Sequence, residues 1–339
     1  MHPILFEIPF THLTVKSYGL MMVIGFLSAV FLIRRLSRNI TPDPQMITNA
    51  ALYSLIAGVV GARLFYVIHY LEKFKTDPLS VFAIWEGGLE VLGGVILAIA
   101  VIVVYLRYHK LAIRKYLDIL AIGLIIALMF GRIGCFLNGC CFGRPTNLPW
   151  GVRFPYGSYA YRSQVLPNPQ RLRAEPQLKL PDEFFSDDVK ENGLQYQRLK
   201  EYEELTDKQK EMVKTGPYRC LPVHPTQLYS SANAALLCLI LYLFWRRSQN
   251  AIRTGKGEKL FTKPGCTFGL MFVLYGISRF FLEFVRDDNP LGFDNLTVSQ
   301  NICVIMIIFG AVLMAVFTKM KPDNTLMQKT KQHSLRALG

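Results

Sequence analysis

Arginine is among the most costly side chains to hold in hydrocarbon, and two stand inside apolar stretches of this sequence. Arg132 lies in LDILAIGLIIALMFGRIGCFL and Arg279 in TFGLMFVLYGISRFFLEF. Burial at bilayer depth costs from about 3 to more than 10 kcal/mol. It is tolerated where the guanidinium meets an anion or a carboxylate inside protein. The guanidinium is a planar, permanently charged fork whose donors match phosphate oxygens. The pair therefore points to chemistry on a phosphate-bearing molecule at membrane depth. The alternative is a structural pairing with a carboxylate or with backbone carbonyls.

Other polar residues could join them. Arg63 sits in VGARLFYVIHY, Glu283 in RFFLEF and Arg286 just beyond it. Arg279 and Glu283 are four residues apart, so a helix places them on one face. Glu283 would neutralise Arg279 at rest, and an anionic ligand would compete for it. Tyr18, Tyr229 and Tyr275 lie in or near apolar stretches, where interfacial anchoring competes with a role in a site. His224 opens VHPTQLYSS. Pro225 stiffens that turn, and Thr226 and Gln227 put hydrogen-bonding groups at a helix start, a favourable place for an anion.

These residues are positioned by elements of bilayer length. The chain has 339 residues, 51% hydrophobic and 18% charged. Its apolar residues come in runs near the roughly 20 residues that a bilayer requires. We read seven spans, at 17–34, 48–69, 89–107, 117–137, 226–246, 267–284 and 297–317. Residues 1–16 lack a basic start, and no small-residue cleavage site follows the first span, so no secretory signal is expected.

The formal net charge of +14 would suit nucleic acid, but its placement gives a different reading. Basic residues crowd 34–47, 107–116, 247–266 and the tail after 319, whereas 70–88 and 285–296 carry more acid. The alternation sets the N-terminus outside and the C-terminus in the cytoplasm. The expected class is an all-α, seven-helix integral membrane protein with a lipid bilayer, not nucleic acid, as its partner. Residues 1–141 carry spans one to four, 142–223 form a small mixed extracytoplasmic insertion, 224–318 carry spans five to seven, and 319–339 are a cytoplasmic tail. Within the insertion, LPWGVRFP reads as loop and short strand. Residues 187–214, with Glu and Lys at helical spacing, read as one or two helices. The residues after Lys321 read as disordered.

Two further clusters have competing readings. Gly58, Gly61 and Ala62, with Gly87, Gly88, Gly93 and Gly94, suit close helix packing. WEGGLEVLGG reads better as broken helix lining a cavity, because four glycines weaken a helix there. Of the seven cysteines, Cys135, Cys140 and Cys141 lie close in sequence. CxxxxCC lacks the paired spacing of a zinc site and has no neighbouring His, so neither metal nor cofactor is expected. Cys220 with Cys140 or Cys141 could form a disulfide in an oxidising compartment.

GRIGCFLNGCCFG at 131–143 resembles the signature of the bacterial prolipoprotein diacylglyceryl transferase family. So do Tyr18–Met21, HPTQLY at 224–229, and the stretch from Tyr275 to Arg286, in the same order. WEGGLEVLGG matches a Trp-x-Gly-Gly stretch. The resemblance covers about 17–317. It implies a multi-pass enzyme of the bacterial cytoplasmic (inner) membrane with two substrates: phosphatidylglycerol and a preprolipoprotein whose signal peptide ends in a lipobox cysteine. The diacylglyceryl group would pass to the cysteine thiol, giving a thioether and glycerol 1-phosphate. Arg132, Asn138 and Gly143 keep the family's pattern. Arg132, Arg279, His224 and Tyr18 are the catalytic candidates. Arg63, Asn138, Gly143, Gln227, Tyr229, Tyr275, Glu283 and Arg286 join Arg132 as substrate-binding candidates.

The sequence departs from the family at four places. Cys135 replaces an Asn, Cys140 replaces a Glu, Ser230 stands at a commonly acidic position, and Leu92 stands where His or Tyr is usual. Leu92 cannot accept the proton that the thiol must lose. The leaving phosphate, His224 and Glu90 are the acceptors that remain, with Tyr18 and Glu283 behind them. An organic-anion transporter and a non-catalytic lipid-binding homologue are the rival readings. The transporter would call for two related halves, and the sequence has no such repeat.

Overall fold

A computed structural model describes residues 4–7, 14–40, 43–71, 74, 78–83, 88, 90–191, 194–253, 262–292 and 296–320. Apolar runs become helices because a helix satisfies its own backbone, which hydrocarbon cannot do. These helices are α1 (Ser17–Ser37), α2 (Gln45–His69), α3 (Val91–Tyr108) and α4 (Ile113–Asn138) before the polar segment, and α7 (Thr226–Arg253), α8 (Cys266–Glu283) and α9 (Val298–Lys319) after it. Six of them are long and apolar enough to cross a membrane, by length and composition; α3 is the shorter apolar one. Large apolar side chains such as Phe31, Val104 and Ile305 stand exposed, an arrangement suited to lipid rather than water.

Between α4 and α7 the polar segment holds short elements: α5 (Tyr159–Val165), strands β3 (Phe185–Glu191) and β4 (Leu194–Leu199), and α6 (Asp207–Lys214). A hairpin of β1 (Ile4–Glu7) and β2 (Thr14–Lys16) precedes α1. The helical expectation for 187–214 is corrected by this. Its first half is an antiparallel hairpin pairing Val189 with Tyr196, and among the described residues the helical part is a 3-10 turn at Tyr202–Glu204 and the α-helix Asp207–Lys214. The sequence between the strands, Asn192-Gly193, is the pair most favoured in two-residue hairpin turns. Thr206 caps α6 by accepting from the Gln209 amide at 3.3 Å.

The chain divides into two compact units: residues 1–28, 124–242 and 269–312, and residues 29–123, 243–268 and 313–339. In the first, Phe142, Phe154, Tyr161, Val165, Leu199, Cys220 and Val223 form the core of the polar segment. Its two ends meet where Val152 pairs with Val223, and the Gln164 side chain both donates to Leu221 O (3.2 Å) and accepts from Leu221 N (2.8 Å).

In the second unit, α2 and α3 approach backbone to backbone. A Cβ on Gly61 would lie 2.6 Å from Gly93 O, and one on Gly94 would lie 2.7 Å from Gly58 O. Gly93 and Gly94 thus sit in regular helix and serve packing, which corrects the broken-helix reading for that half of the stretch. Gly88, at φ +70°, is in the left-handed region open to glycine. Trp85, Gly87 and the tail after Lys321 fall outside the described residues. Buried Asp118 on α4 accepts from the amides of Gly265 (2.8 Å) and Phe268 (3.0 Å), which satisfies donors that the start of α8 would otherwise bury unpaired.

Gly93→Ala should force the helices apart, since its Cβ would fall 2.3 Å from Phe65 Cγ and 2.5 Å from Gly61 O. We expect a loss of about 1–3 kcal/mol, as for an overpacked core. Gly19→Ala, with nothing within 4 Å, should be neutral. Thermal unfolding in detergent micelles reads both; equal midpoints for the two variants would contradict the packing.

Candidate active site

The first unit gathers most of the residues singled out by chemistry. Arg279 and Glu283 do share a face of α8. Arg279 Nη1 lies 2.7 Å from Glu283 Oε2, close in distance but out of line for a hydrogen bond. Arg286 Nε is 3.7 Å from the same oxygen. Two guanidinium groups therefore share one carboxylate that is 1% exposed. Arg286 also grips Asp288 through both carboxylate oxygens, at 2.9 and 2.6 Å. Asn289 donates to Glu283 Oε1 (2.5 Å) and Ser299 Oγ (3.2 Å), and Arg279 Nη2 reaches that hydroxyl at 3.4 Å.

Arg132, in the last turns of α4, lies within electrostatic reach of Tyr275 and Arg286. It is also within reach of Arg279. Its guanidinium sits 3.8 Å from the Cys141 sulfur. The other two arginines have carboxylate partners, so Arg132 is the least neutralised of the three. Three guanidinium groups against the carboxylates of Glu283 and Asp288 leave a net positive charge, which favours an added anion by Coulomb's law in a medium far less polar than water.

The signature turn is folded over this cluster. After α4 ends at Asn138, Gly139 (φ +75°) and Cys141 (φ +60°) reverse the chain. Gly143 then passes so close to α7 that a Cβ would meet His224 Cβ and His224 O at 2.7 Å. Gly143 N donates to His224 O at 3.1 Å. Thr226 Oγ1 and Gln227 Nε2, at the start of α7, donate at 2.7 Å to the carbonyls of Cys141 and Cys140. So Gln227 positions the turn, and Gly143 is the glycine that permits the close approach. The sulfur atoms of Cys135, Cys140 and Cys141 come within 4.8 Å of one another.

Tyr18 packs over Gly134 of α4, whose Cβ would lie 3.1 Å from the ring, and it is within reach of Arg132 and all three cysteines. His224 Nδ1 lies 3.4 Å from the Tyr229 hydroxyl, which accepts from Trp150 Nε1 at 2.7 Å. Asn138 lines a cavity of about 600 Å³ together with Lys16, Tyr156, Tyr159, Arg162 and Glu201. Burial pushes the Tyr156 hydroxyl up to about 12 and the Cys220 thiol up to about 11. Cys220 is thus a poor nucleophile, and no disulfide joins any of the seven cysteines.

Arg63 belongs to the second unit. It donates to the carbonyls of Val81 (2.8 Å), Gly88 (3.0 Å) and Ser80 (2.5 Å) and lies over the Tyr66 and Phe74 rings. Glu90, also in that unit, pairs with His69 Nδ1 at 2.8 Å.

Sequence reasoning missed several partners. Asp288, Asn289 and Ser299 come from a loop and a helix start without periodic signal. Arg173 pairs with Asp287 at 2.9 Å, and Arg171 donates to Arg286 O. Both tie the polar segment to the arginine loop from a stretch where no motif marks them.

A family model described as prolipoprotein diacylglyceryl transferase matches residues 3–316. A phosphatidylglycerol–prolipoprotein diacylglyceryl transferase of Methylococcus capsulatus is 31% identical, over 91% of this chain and 93% of its own. Proteins of the same name from Clostridium tetani (27%; 91% and 95%) and Rhodospirillum rubrum (29%; 94% and 93%) are also similar.

Glu283→Gln leaves two buried guanidinium groups without their shared counter-charge. Breaking a buried pair costs about 3–5 kcal/mol. We expect a lower melting temperature in detergent, with added inorganic phosphate restoring more stability to the variant than to the parent. Equal phosphate responses would argue against an anion site at these arginines.

Proposed function

The chain belongs to the prolipoprotein diacylglyceryl transferase family, and from that premise we propose how its residues carry out the transfer. The protein moves the diacylglyceryl group of phosphatidylglycerol to a prolipoprotein cysteine thiol. A thioether forms and glycerol 1-phosphate leaves. The acceptor is the lipobox cysteine at the end of a signal peptide, and the site lies in the bacterial inner membrane. In this reading α3 is the seventh span, the N-terminus and residues 142–223 lie outside, and the tail is cytoplasmic.

The observation that carries the assignment is the cluster of Arg132, Arg279 and Arg286, two of which share one buried carboxylate while Arg132 lies within electrostatic reach of both. The reaction breaks a carbon–oxygen bond, so charge grows on the departing phosphate. Preorganised donors aimed at that charge lower the barrier more than they stabilise the intact lipid. Arg132 and Arg279 hold the phosphate, and Arg286, fixed by Asp288, supports their field. Tyr275 and Tyr18 flank the phosphate. Asn138 and Tyr229 border the substrate space, with Gln227 and Gly143 shaping its wall. Arg63 contributes by holding the carbonyls of Ser80, Val81 and Gly88.

The nucleophile belongs to the peptide. His224 accepts its proton. The hydrogen-bonded series Trp150, Tyr229, His224 orients the ring.

Two predictions follow from these roles. Arg132→Lys and Arg279→Lys keep the charge and lose the fork. Each should slow transfer by roughly 10–150-fold, the loss of one charge-assisted contact. The assay is reconstitution with phosphatidylglycerol and a lipobox peptide, read as a diacylglyceryl mass shift. Parental rates in both variants would exclude phosphate binding by either. His224→Gln should lower the transfer rate by roughly 100-fold or more, the usual worth of a positioned proton acceptor; a parental rate would assign the proton to another acceptor.

A further inference from the structure

The family signature is altered at Cys135 and Cys140, and the fold brings both beside Cys141. Cys135 is in the last turn of α4. The Cys140 amide donates to Cys135 O at 3.1 Å, and the Cys140 sulfur lies 3.7 Å from the same oxygen. Cys141 takes a left-handed φ of +60°, rare for a residue with a Cβ and usually retained only where surrounding structure enforces it. Thr226 and Gln227 enforce it through the two turn carbonyls. The result is three sulfurs within 4.8 Å, none joined to another. Zn–S bonds of about 2.3 Å put tetrahedral ligands about 3.8 Å apart, which small side-chain rotations would reach.

Packing does not account for this cluster. Cys140 and Cys141 are half-exposed. Their surroundings are polar: Arg132 lies 3.8 Å from one sulfur, and the cavity beside Asn138 adjoins the turn. An all-thiolate set selects soft metals and disfavours magnesium, calcium and manganese. Three thiolates on a divalent ion make an anionic complex, and the neighbouring arginines supply the opposing charge. An iron–sulfur cluster calls for four cysteines. Three protein ligands with the fourth position taken by substrate is the arrangement of catalytic zinc.

We propose that Cys135, Cys140 and Cys141 hold one zinc(II) ion whose fourth position is taken by the thiol of the incoming prolipoprotein. This rests on the transferase reading above and deepens it. The peptide thiol gives up its proton to His224 as its sulfur bonds to zinc. The sulfur then forms a bond to the glyceryl carbon, the carbon–oxygen bond breaks, and that electron pair leaves with glycerol 1-phosphate. The thioether, a weaker ligand, departs, and zinc stays with its three cysteines. No oxidant or reductant is involved. The ion would do the work for which Leu92 offers no base, since a metal-bound thiol is held deprotonated.

The test uses the full chain purified in detergent without chelator. Elemental mass spectrometry should find one zinc per chain, and Cys135→Ser and Cys140→Ser should weaken it at least about tenfold. Cys238→Ser should not. Cobalt(II) in place of zinc should show thiolate charge-transfer absorption that grows with a lipobox cysteine peptide and stays constant with its serine counterpart. Absence of zinc, copper(I) in its place, a disulfide within the cluster, or a cobalt spectrum indifferent to the peptide thiol would each overturn the proposal. Metal-free protein that transfers lipid at the parental rate would overturn it and leave the transferase reading intact. Zinc and peptide binding with no lipid transfer at all would instead remove the transferase reading, and with it the step assigned to zinc.

Discussion

Positive charge held close together in a half-buried place is the constraint that organises this protein. Arg132, Arg279 and Arg286 lie in one another's field, and Glu283 is shared by two of them. Such a cluster is stable only if neighbouring structure supplies hydrogen bonds and counter-charge. Asp288, Asn289 and Ser299 do so directly. Among the described residues no carboxylate pairs with Arg132, so the cluster keeps a net positive charge, which favours an anion.

The polar segment can be understood as support for the same cluster. Arg171 and Arg173 brace the loop after α8 through Arg286 O and Asp287. Gly143 pairs with Arg286 across an isolated bridge and abuts His224. The signature turn, the start of α7 and the arginine loop are thus tied together by backbone contacts. A shift in one moves the others, and geometry at the level of an ångström matters to the rate of a positioned reaction.

The sequence was legible where one strong physical rule acted alone. Apolar runs of bilayer length became α1, α2, α4, α8 and α9 within a few residues of their expected ends, because hydrocarbon leaves the backbone no alternative to a helix, while α7 starts where expected and runs on to Arg253, past the expected 246. The i,i+4 spacing of Arg279 and Glu283 became an ion pair for the same reason of helical geometry. Legibility failed where two signals competed. At 187–199 Glu/Lys spacing argued for helix, and the chain forms two paired strands instead. At 93–94 the glycines suited both broken and close-packed helix, and only the partner glycines on α2 decide. The CxxxxCC spacing concealed three adjacent sulfurs, because their proximity depends on a chain reversal with two positive φ values. Partners such as Asp288, Arg171 and Arg173 come from irregular loops, where no periodicity reports tertiary contact.

The central claim is that these arginines meet the phosphate of the lipid. Side-chain NMR of nitrogen-labelled arginine in nanodiscs observes that contact without relying on turnover. Titration with glycerol 1-phosphate should move the guanidinium resonances of Arg132 and Arg279 together, at one affinity, while Arg63 stays in place on its carbonyls. Resonances of Arg132 and Arg279 that remain still as another arginine responds would contradict the account.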